Sequence, residues 1–87
     1  MKFEWDINKR LANLEKHGYD FRVAVNIFED TVVEIPQRRN DEARILALGI
    51  LNNHVIAVVY TWRGKARRII SARKASRKER NLFESNT

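Results

Sequence analysis

The apolar residues in the first third of the chain have the spacing of two short helices. Ile7, Leu11 and Leu14 fall at i, i+4 and i+7, and a second stripe with the same period runs over 21–28. Asp6 and Asp20 stand where N-caps belong. The run Lys16-His17-Gly18 has the basic last turn and following glycine that end a helix. Helices this short need support, so we expect both to lie against a sheet.

The middle of the chain has β-branched and apolar runs separated by turn residues. The first strand is predicted at 31–35 and ends at Pro36, because proline cannot sit inside a central strand. The polar stretch 37–42 is predicted to be a loop. Asn52-Asn53 is predicted to form a tight hairpin turn, since asparagine tolerates positive φ. The three later strands are predicted at 43–51, 54–62 and 66–72.

The last element is predicted to be a helix that opens with a capping box, Ser76 to Glu79, and runs to about Phe83. Grouped helices and strands indicate an α+β fold rather than alternating units. The prediction is one domain over 1–87, with two N-terminal helices, a four-stranded antiparallel sheet and a C-terminal helix.

Composition narrows the classes of site. The chain has no cysteine and only two histidines, which lie far apart, so no metal-ligand spacing is present. We therefore expect neither a metal nor a cofactor. No apolar run approaches the length of a membrane span, and the first residues have no apolar signal region. A soluble cytoplasmic protein is expected.

Charge is unevenly distributed. Residues 1–60 carry 8 basic and 9 acidic side chains, whereas residues 61–87 carry 9 basic and 2 acidic ones, a net +7. Such asymmetry favours a polyanionic partner, above all nucleic acid. A solvated basic face that only aids solubility is the alternative.

The strands at 54–62 and 66–72 combine this charge with aromatic rings. Simple alternation places Arg67, Ser71 and Arg73 on one face of the last strand and Arg68 on the other. Cations beside exposed rings suit single-stranded RNA, because rings stack on bases while cations hold phosphates. The RNA-binding candidates are Tyr60, Trp62, Arg63, Arg67, Lys74, Arg77, Lys78 and Arg80. For Tyr60, a place in the core is an equally good interpretation.

Five residues are candidates for catalysis. Arg44, Arg68 and Arg73 could stabilise charge that develops on a phosphate, Ser71 could orient it, and Glu42 could accept a proton. The alternative for Glu42 and Arg44 is an ion pair of little consequence.

The two histidines are weaker candidates. His17 precedes Gly18, which favours a role at a helix C-terminus over acid–base chemistry. His54 follows the predicted turn and is interpreted as an exposed strand start.

Several segments together resemble the BrnT family of type II toxins. They are Phe3-Glu4-Trp5-Asp6, Lys16-His17-Gly18, 21–28, Glu42-x-Arg44 and, most specifically, the stretch Arg68 to Ala75. The resemblance implies a RelE-like ribonuclease fold and RNA cleavage that blocks translation. It also implies a BrnA-like antitoxin with a ribbon-helix-helix part, through which the complex contacts operator DNA, and it leaves room for dimerisation within that complex.

One position departs from the pattern. Similar family members tend to have a tyrosine in the terminal helix, where this chain has Phe83. If that hydroxyl takes part in catalysis, activity should be weaker, or Tyr60 should substitute for it.

Three functions follow as hypotheses. The first is a metal-independent ribonuclease in which the RNA 2′-hydroxyl attacks the adjacent phosphate. The second is a non-catalytic nucleic-acid-binding or co-repressor module, because attraction to phosphate does not depend on cleavage. The third is a protein-interaction domain, which is compatible with the first through antitoxin binding.

Overall fold

The computed structural model describes all residues from 1 to 87. Its elements, in chain order, are β1 (Lys2–Glu4), α1 (Ile7–His17), α2 (Phe21–Ala24), a 3₁₀ helix (Val25–Glu29), β2 (Val33–Arg39), β3 (Glu42–Leu51), β4 (His54–Arg63), β5 (Ala66–Lys74) and α3 (Arg77–Ser85). The α+β class is confirmed. No helix is both long enough and apolar enough to cross a bilayer.

The sheet has five strands rather than the predicted four, in the order β1-β5-β4-β3-β2. The additional strand, β1, lies parallel to the start of β5, and the other neighbours are antiparallel. Only three residues form β1, from Lys2 to Glu4. A segment that short shows no alternation by itself, and only pairing with β5 makes it a strand.

The predicted loop at 37–42 is also wrong. Strand β2 continues through Pro36 to Arg39, because β2 is the edge of the sheet and the missing N–H need not face a neighbour. The turn to β3 is made by Asn40 and Asp41, both with positive φ. The same geometry at Asn52-Asn53 confirms the hairpin predicted there. Gln37 and Arg39 therefore become part of the sheet surface.

A β-bulge in β5 overturns the predicted faces of that strand. Tyr60 pairs with Ile69 but the preceding residue, Val59, pairs with Ser71, so Ile70 is an extra residue. Directly paired residues share a face, and the added residue switches the alternation. Arg67 consequently lies on the opposite face from Ser71 and Arg73, although simple alternation predicts all three on one face.

Helices cover the two faces of the sheet unequally. On one face, α2 and the 3₁₀ helix bury a cluster that includes Phe21, Ile27, Val58 and Tyr60. At Gly49 the approach is so close that a Cβ atom would lie 2.8 Å from the Cβ of Ile27. On the other face, α3 covers a smaller cluster, made by Leu46, Leu48, Ala57, Ala75 and Phe83. The rest of that second face is open.

Helix α1 has the predicted ends but not the predicted orientation. The side chain of Asp6 caps its first turn, and Gly18 ends it with φ +77°. Ile7, Leu11 and Leu14 are nevertheless 53%, 49% and 38% exposed. The buried residue is Asn13, and the reason lies in its hydrogen bonds to the sheet edge.

The edge of β5 beyond β1 is unpaired by any strand. The amide of Asn13 replaces the missing partner, because its Nδ2 donates to the Ala72 carbonyl at 2.8 Å and its Oδ1 accepts from the Ala72 N–H at 3.1 Å. Nδ2 also donates to the carbonyl of Tyr19 at 2.9 Å. Satisfying a buried backbone N–H and C=O outweighs burying one more apolar stripe, so α1 docks through Asn13.

Candidate functional site

The open part of the second sheet face is a groove of about 620 Å³. Its walls come from four neighbouring strands, β2 to β5. The residues that line it are Gln37, Arg38, Arg39, Arg44, Val59, Ile70, Ser71 and Arg73. We call this surface the arginine groove.

Strand register explains why these residues meet. Gln37 is paired with Arg44 across β2 and β3, and Val59 is paired with Ser71 across β4 and β5. Paired residues on neighbouring strands project on the same side of the sheet. The bulge at Ile70 turns Ser71 and Arg73 to this side, so local irregularity in one strand completes the groove.

Two of the four arginines in the groove are held by carboxylates. Nε of Arg44 donates to Glu42 at 2.8 Å, and this bond lowers the pKa of Glu42. Arg73 makes a two-pronged contact with Glu79, at 2.8 and 3.0 Å. The hydrogen bond from Arg73 lowers the pKa of Glu79 to about 2, and the same contact raises the pKa of Arg73. Both guanidinium groups are therefore fixed in direction.

Arg38 and Arg39 form no ion pair. Arg38 donates from one guanidinium nitrogen to the carbonyl of Asp41, at 3.1 Å, and both arginines are exposed. Four guanidinium groups against two carboxylates leave the arginine groove positive. An open positive surface with fixed donors is suited to phosphate groups.

A second, smaller groove of about 290 Å³ adjoins the first. It lies between α1 and β5, and it shares Ile70 and Ser71 with the arginine groove. The side chains from α1 that line it are Lys9, Ala12, Asn13, Lys16 and His17. We call this surface the α1 groove.

The predicted catalytic residues are brought together only in part. Arg44, Ser71 and Arg73 line the arginine groove, and Glu42 adjoins it through Arg44. Arg68 does not line the groove, because it pairs with Glu4 of β1 at 2.8 Å. The unpredicted strand β1 supplies the carboxylate that binds Arg68.

The aromatic candidates lie on the opposite side of the sheet. Tyr60 is 1% exposed, so its ring cannot stack on a base, and the core interpretation is the correct one. Its hydroxyl donates to Glu34, and burial together with this bond raises the pKa of Tyr60. Trp62 is 47% exposed. The Arg67 guanidinium lies 4.6 Å from the Trp62 ring centre, 5.3 Å from that of Tyr60 and 4.7 Å from that of Phe28.

The remaining predicted cations surround the grooves without lining either of them. Arg63 lies where β4 ends, and Lys74, Arg77 and Lys78 are exposed around the start of α3. Arg80 donates to the carbonyl of Ala75. The predicted capping box of α3 is confirmed, with Ser76 and Glu79 bonded reciprocally. The carboxylate of Glu79 thus serves both this cap and Arg73.

Phe83 is the buried residue of α3, and it lines a different cavity, beside Thr31 and Ile50. It does not line the arginine groove. A tyrosine at this position would therefore not present its hydroxyl directly to the arginines.

Sequence reasoning missed the part of the site that comes from β2 and α1. The sequence pattern predicts a loop for Gln37, Arg38 and Arg39, although the pair Asn40-Asp41 tolerates positive φ and is typical of a hairpin turn. No feature of the sequence marks Lys9 or Lys16 as a site residue, because the sequence does not show which side of α1 faces β5. No group of three or more His, Cys, Asp or Glu side chains is arranged to hold a metal ion.

Comparison with known proteins identifies the family of the chain. Residues 5–79 match the family model described as the ribonuclease toxin BrnT of type II toxin–antitoxin systems. No curated protein matches the chain significantly. Among solved structures, the crystal structure of the Brucella abortus ribonuclease toxin BrnT is 35% identical in sequence, with a TM-score of 0.73. That match covers 88% of this chain and 99% of the Brucella one. The chain therefore belongs to the BrnT family of ribonuclease toxins of type II toxin–antitoxin systems.

Proposed function

We propose that this toxin cleaves RNA bound in the arginine groove, without a metal ion. The observation that carries the proposal is the convergence of Arg44, Ser71 and Arg73, from two strands of one sheet, on a single open surface. Of the eight residues that line the groove, four are arginines and none carries a carboxylate, so the surface repels a divalent cation and attracts phosphate. A RelE-like mode of action, with cleavage that inhibits translation in the cytoplasm, is part of the proposal.

The proposed reaction is attack of the RNA 2′-hydroxyl on the adjacent phosphorus. The 2′-oxygen loses its proton and bonds to phosphorus, the bond to the 5′-oxygen breaks, and that oxygen takes up a proton. The products are a 2′,3′-cyclic phosphate and a 5′-hydroxyl end. Negative charge grows on the phosphate oxygens, where fixed guanidinium donors stabilise it most.

The groove residues divide this work. Arg44 and Arg73 bind the charged oxygens, since their carboxylate partners hold them in direction and leave other N–H groups free. Ser71, between the two grooves, orients the phosphate. Glu42 is the weaker part of the assignment, because its ion pair with Arg44 lowers its pKa and thus its strength as a base.

The surrounding cations act at longer range. Arg63, Lys74, Arg77 and Lys78 extend positive potential around the site, which accelerates encounter with RNA without specifying sequence. Trp62 and Arg67 lie on the other face, where a long RNA could reach them around the end of the sheet. Arg80 and Arg68 are engaged internally and contribute least.

The family implies an antitoxin partner. We propose that this partner is BrnA-like, that it neutralises the toxin in a complex where dimerisation can occur, and that operator DNA is contacted only through that complex.

The test is incubation of the purified chain with RNA in the presence of a chelator. We expect fragments ending in a 2′,3′-cyclic phosphate, and at least ~10²-fold slower cleavage by Arg44→Ala. Arg22→Ala, which removes an exposed arginine from α2, is the control with the same charge change and should cut normally. RNA that is retained but never cut would instead favour the non-catalytic nucleic-acid-binding or co-repressor module.

A further inference from the structure

The arginine groove lacks a group suited to proton transfer. Guanidinium groups stay charged at neutral pH, serine and glutamine do not titrate there, and Glu42 is paired with Arg44. Cleavage by a 2′-hydroxyl nevertheless requires a base. Such a base must therefore come from a surface that shares a wall with this groove.

The α1 groove provides such a surface. It meets the arginine groove at Ser71, and it is lined by His17 together with Lys9 and Lys16. Neither lysine forms an ion pair, and the His17 side chain makes no hydrogen bond within the chain. Three cationic or titratable side chains thus line the same groove as Ser71, and none of them forms an ion pair.

The position of α1 relative to Ser71 is fixed by the fold. Asn13, on the same helix, is bonded to both backbone groups of Ala72, the residue after Ser71. His17 is one helical turn further along α1, so it lies on the same side as Asn13. The hydrogen bonds of Asn13 therefore hold the side of α1 that includes His17 against the part of β5 that includes Ser71.

We propose that the α1 groove is the second half of the active site. This proposal rests on the ribonuclease function proposed above. Lys9 and Lys16 bind the RNA phosphate next to the scissile one, and His17 is the general base. Imidazole is the side chain best suited to exchange a proton near neutral pH. Its unprotonated nitrogen takes the proton of the 2′-hydroxyl as the 2′-oxygen bonds to phosphorus. The departing 5′-oxygen takes a proton from water, and the imidazolium returns its own to solvent.

Charge supports the same arrangement. Lys9 is one of the cations that lower the pKa of Glu42, after Arg44 and Arg63. The charge of Lys9 on α1 therefore reaches Glu42 at the start of β3. An RNA backbone that passes from the arginine groove to the α1 groove would meet positive side chains throughout, with Ser71 at the centre.

The chain contains a matched control for the proton transfer. Its only other histidine, His54, is exposed at the start of β4 and lines neither groove. We expect His17→Ala and His17→Gln to slow single-turnover cleavage ~10²- to 10⁴-fold. Both should bind a 2′-O-methyl RNA, which cannot be cleaved, within about twofold of wild type. His54→Ala should behave as wild type in both measurements.

The lysines have a separate readout. Removal of Lys16 should weaken binding of the 2′-O-methyl RNA and reduce the slope of log affinity against log salt by about 0.7, the value for one phosphate contact on a single strand. An unchanged slope in both Lys9→Ala and Lys16→Ala would exclude the second phosphate position.

Failure of this inference can be told apart from failure of the proposed function. If Arg44→Ala stops cleavage while folded His17→Gln cuts within threefold of wild type, His17 is not the base and the arginine groove stands alone. If the wild-type chain never cuts RNA, both proposals fail. The glutamine variant decides the matter if the alanine variant does not fold.

Discussion

The two faces of the sheet carry arginines in opposite circumstances. On the arginine groove side, Arg38 and Arg39 have no ion pair and Arg44 and Arg73 are oriented at an open surface. On the other side, Arg67 is enclosed by three aromatic rings, and its Nε is buried without a hydrogen-bond partner. Arg67 and Arg73 come from the same strand, β5, yet only Arg73 is directed at the open groove.

The difference teaches that an arginine's neighbours decide its role. A guanidinium over aromatic faces is held by cation–π attraction and contributes to the fold. A guanidinium clamped by a carboxylate at a surface keeps outward-facing N–H groups that can bind phosphate. In the basic last third of the chain, some arginines therefore stabilise the fold and others are available to bind phosphate.

The most direct test of this comparison replaces Arg73 and Arg67 in separate variants, because the first should affect cleavage and the second should affect stability. We expect Arg73→Ala to slow RNA cleavage ~10²- to 10³-fold, because a fixed donor to the developing charge is lost. Arg67→Met, which keeps the volume, should cut within threefold of wild type but melt several degrees lower, the effect of ~1 kcal/mol in a domain of this size. Arg22→Ala, the charge-matched control used above, should match wild type in cleavage. A slow but stable Arg67→Met variant would contradict the division.

The enclosed face can be tested through Tyr60. Tyr60→Phe removes the hydroxyl that donates to the Glu34 carboxylate. Hydrogen bonds to charged groups are worth about 1.5–3 kcal/mol, so we expect a loss near the lower end, since Glu34 is itself exposed. Urea unfolding measures the stability. The affinity for RNA should not change, and a loss of affinity would mean that Tyr60 does contact the ligand.

The ion pair between Arg73 and Glu79 predicts a pH dependence of stability. The folded-state pKa of Glu79 is about 2, below its ordinary value of 4.5. The carboxylate is thus ionised more readily in the folded chain, so its contribution is complete above about pH 5 and is lost as the pH falls from 4.5 towards 2. We expect wild type to lose on the order of 1–2 kcal/mol more than Glu79→Gln over this range, after solvent screening.

Asp20, which has a similarly low pKa beside Arg22 and Arg10, is present in both proteins. It therefore cancels in the comparison, and urea unfolding at pH 7 and pH 3 isolates Glu79. Parallel pH curves for the two proteins would show that the pair does not contribute to folding.

The smallest expected effect separates the groove from the cations around it. Arg39→Ala should weaken RNA binding several-fold and reduce the salt slope by about 0.7, since it removes one phosphate contact. Arg77→Ala removes the same charge from the exposed start of α3 and should leave the slope unchanged. Equal effects of the two variants would show that RNA follows the general charge and not the arginine groove.

Features that depend on neighbouring residues were predicted well. The caps at Asp6 and Asp20, the end of α1 at Gly18 and the capping box at Ser76 are all present, because each is satisfied within one helical turn. The turn at Asn52-Asn53 is present for the same reason. Arg44, Ser71 and Arg73, which the sequence offered as candidates through residue chemistry and family resemblance, line one groove, and their catalytic role stays a prediction.

Features that depend on partners distant in the chain were not predictable in this way. The three-residue strand β1 exists only because β5 offers an edge, and with it Arg68 is bound to Glu4. The outward stripe of α1 contradicts the usual rule that apolar residues turn inward. Here the unpaired edge of β5 required the amide of Asn13.

The sequence by itself determined the α+β class, the local ends of the helices, the basic C-terminal third and the membership of a ribonuclease toxin family. Only the tertiary structure decided which cations share a surface. A single extra residue at Ile70 reverses the alternation of β5, and it sends Arg67 to the aromatic face and Ser71 and Arg73 to the groove. Alternation is a local rule, whereas a bulge is set by the register with a neighbouring strand, and register is a property of the whole sheet.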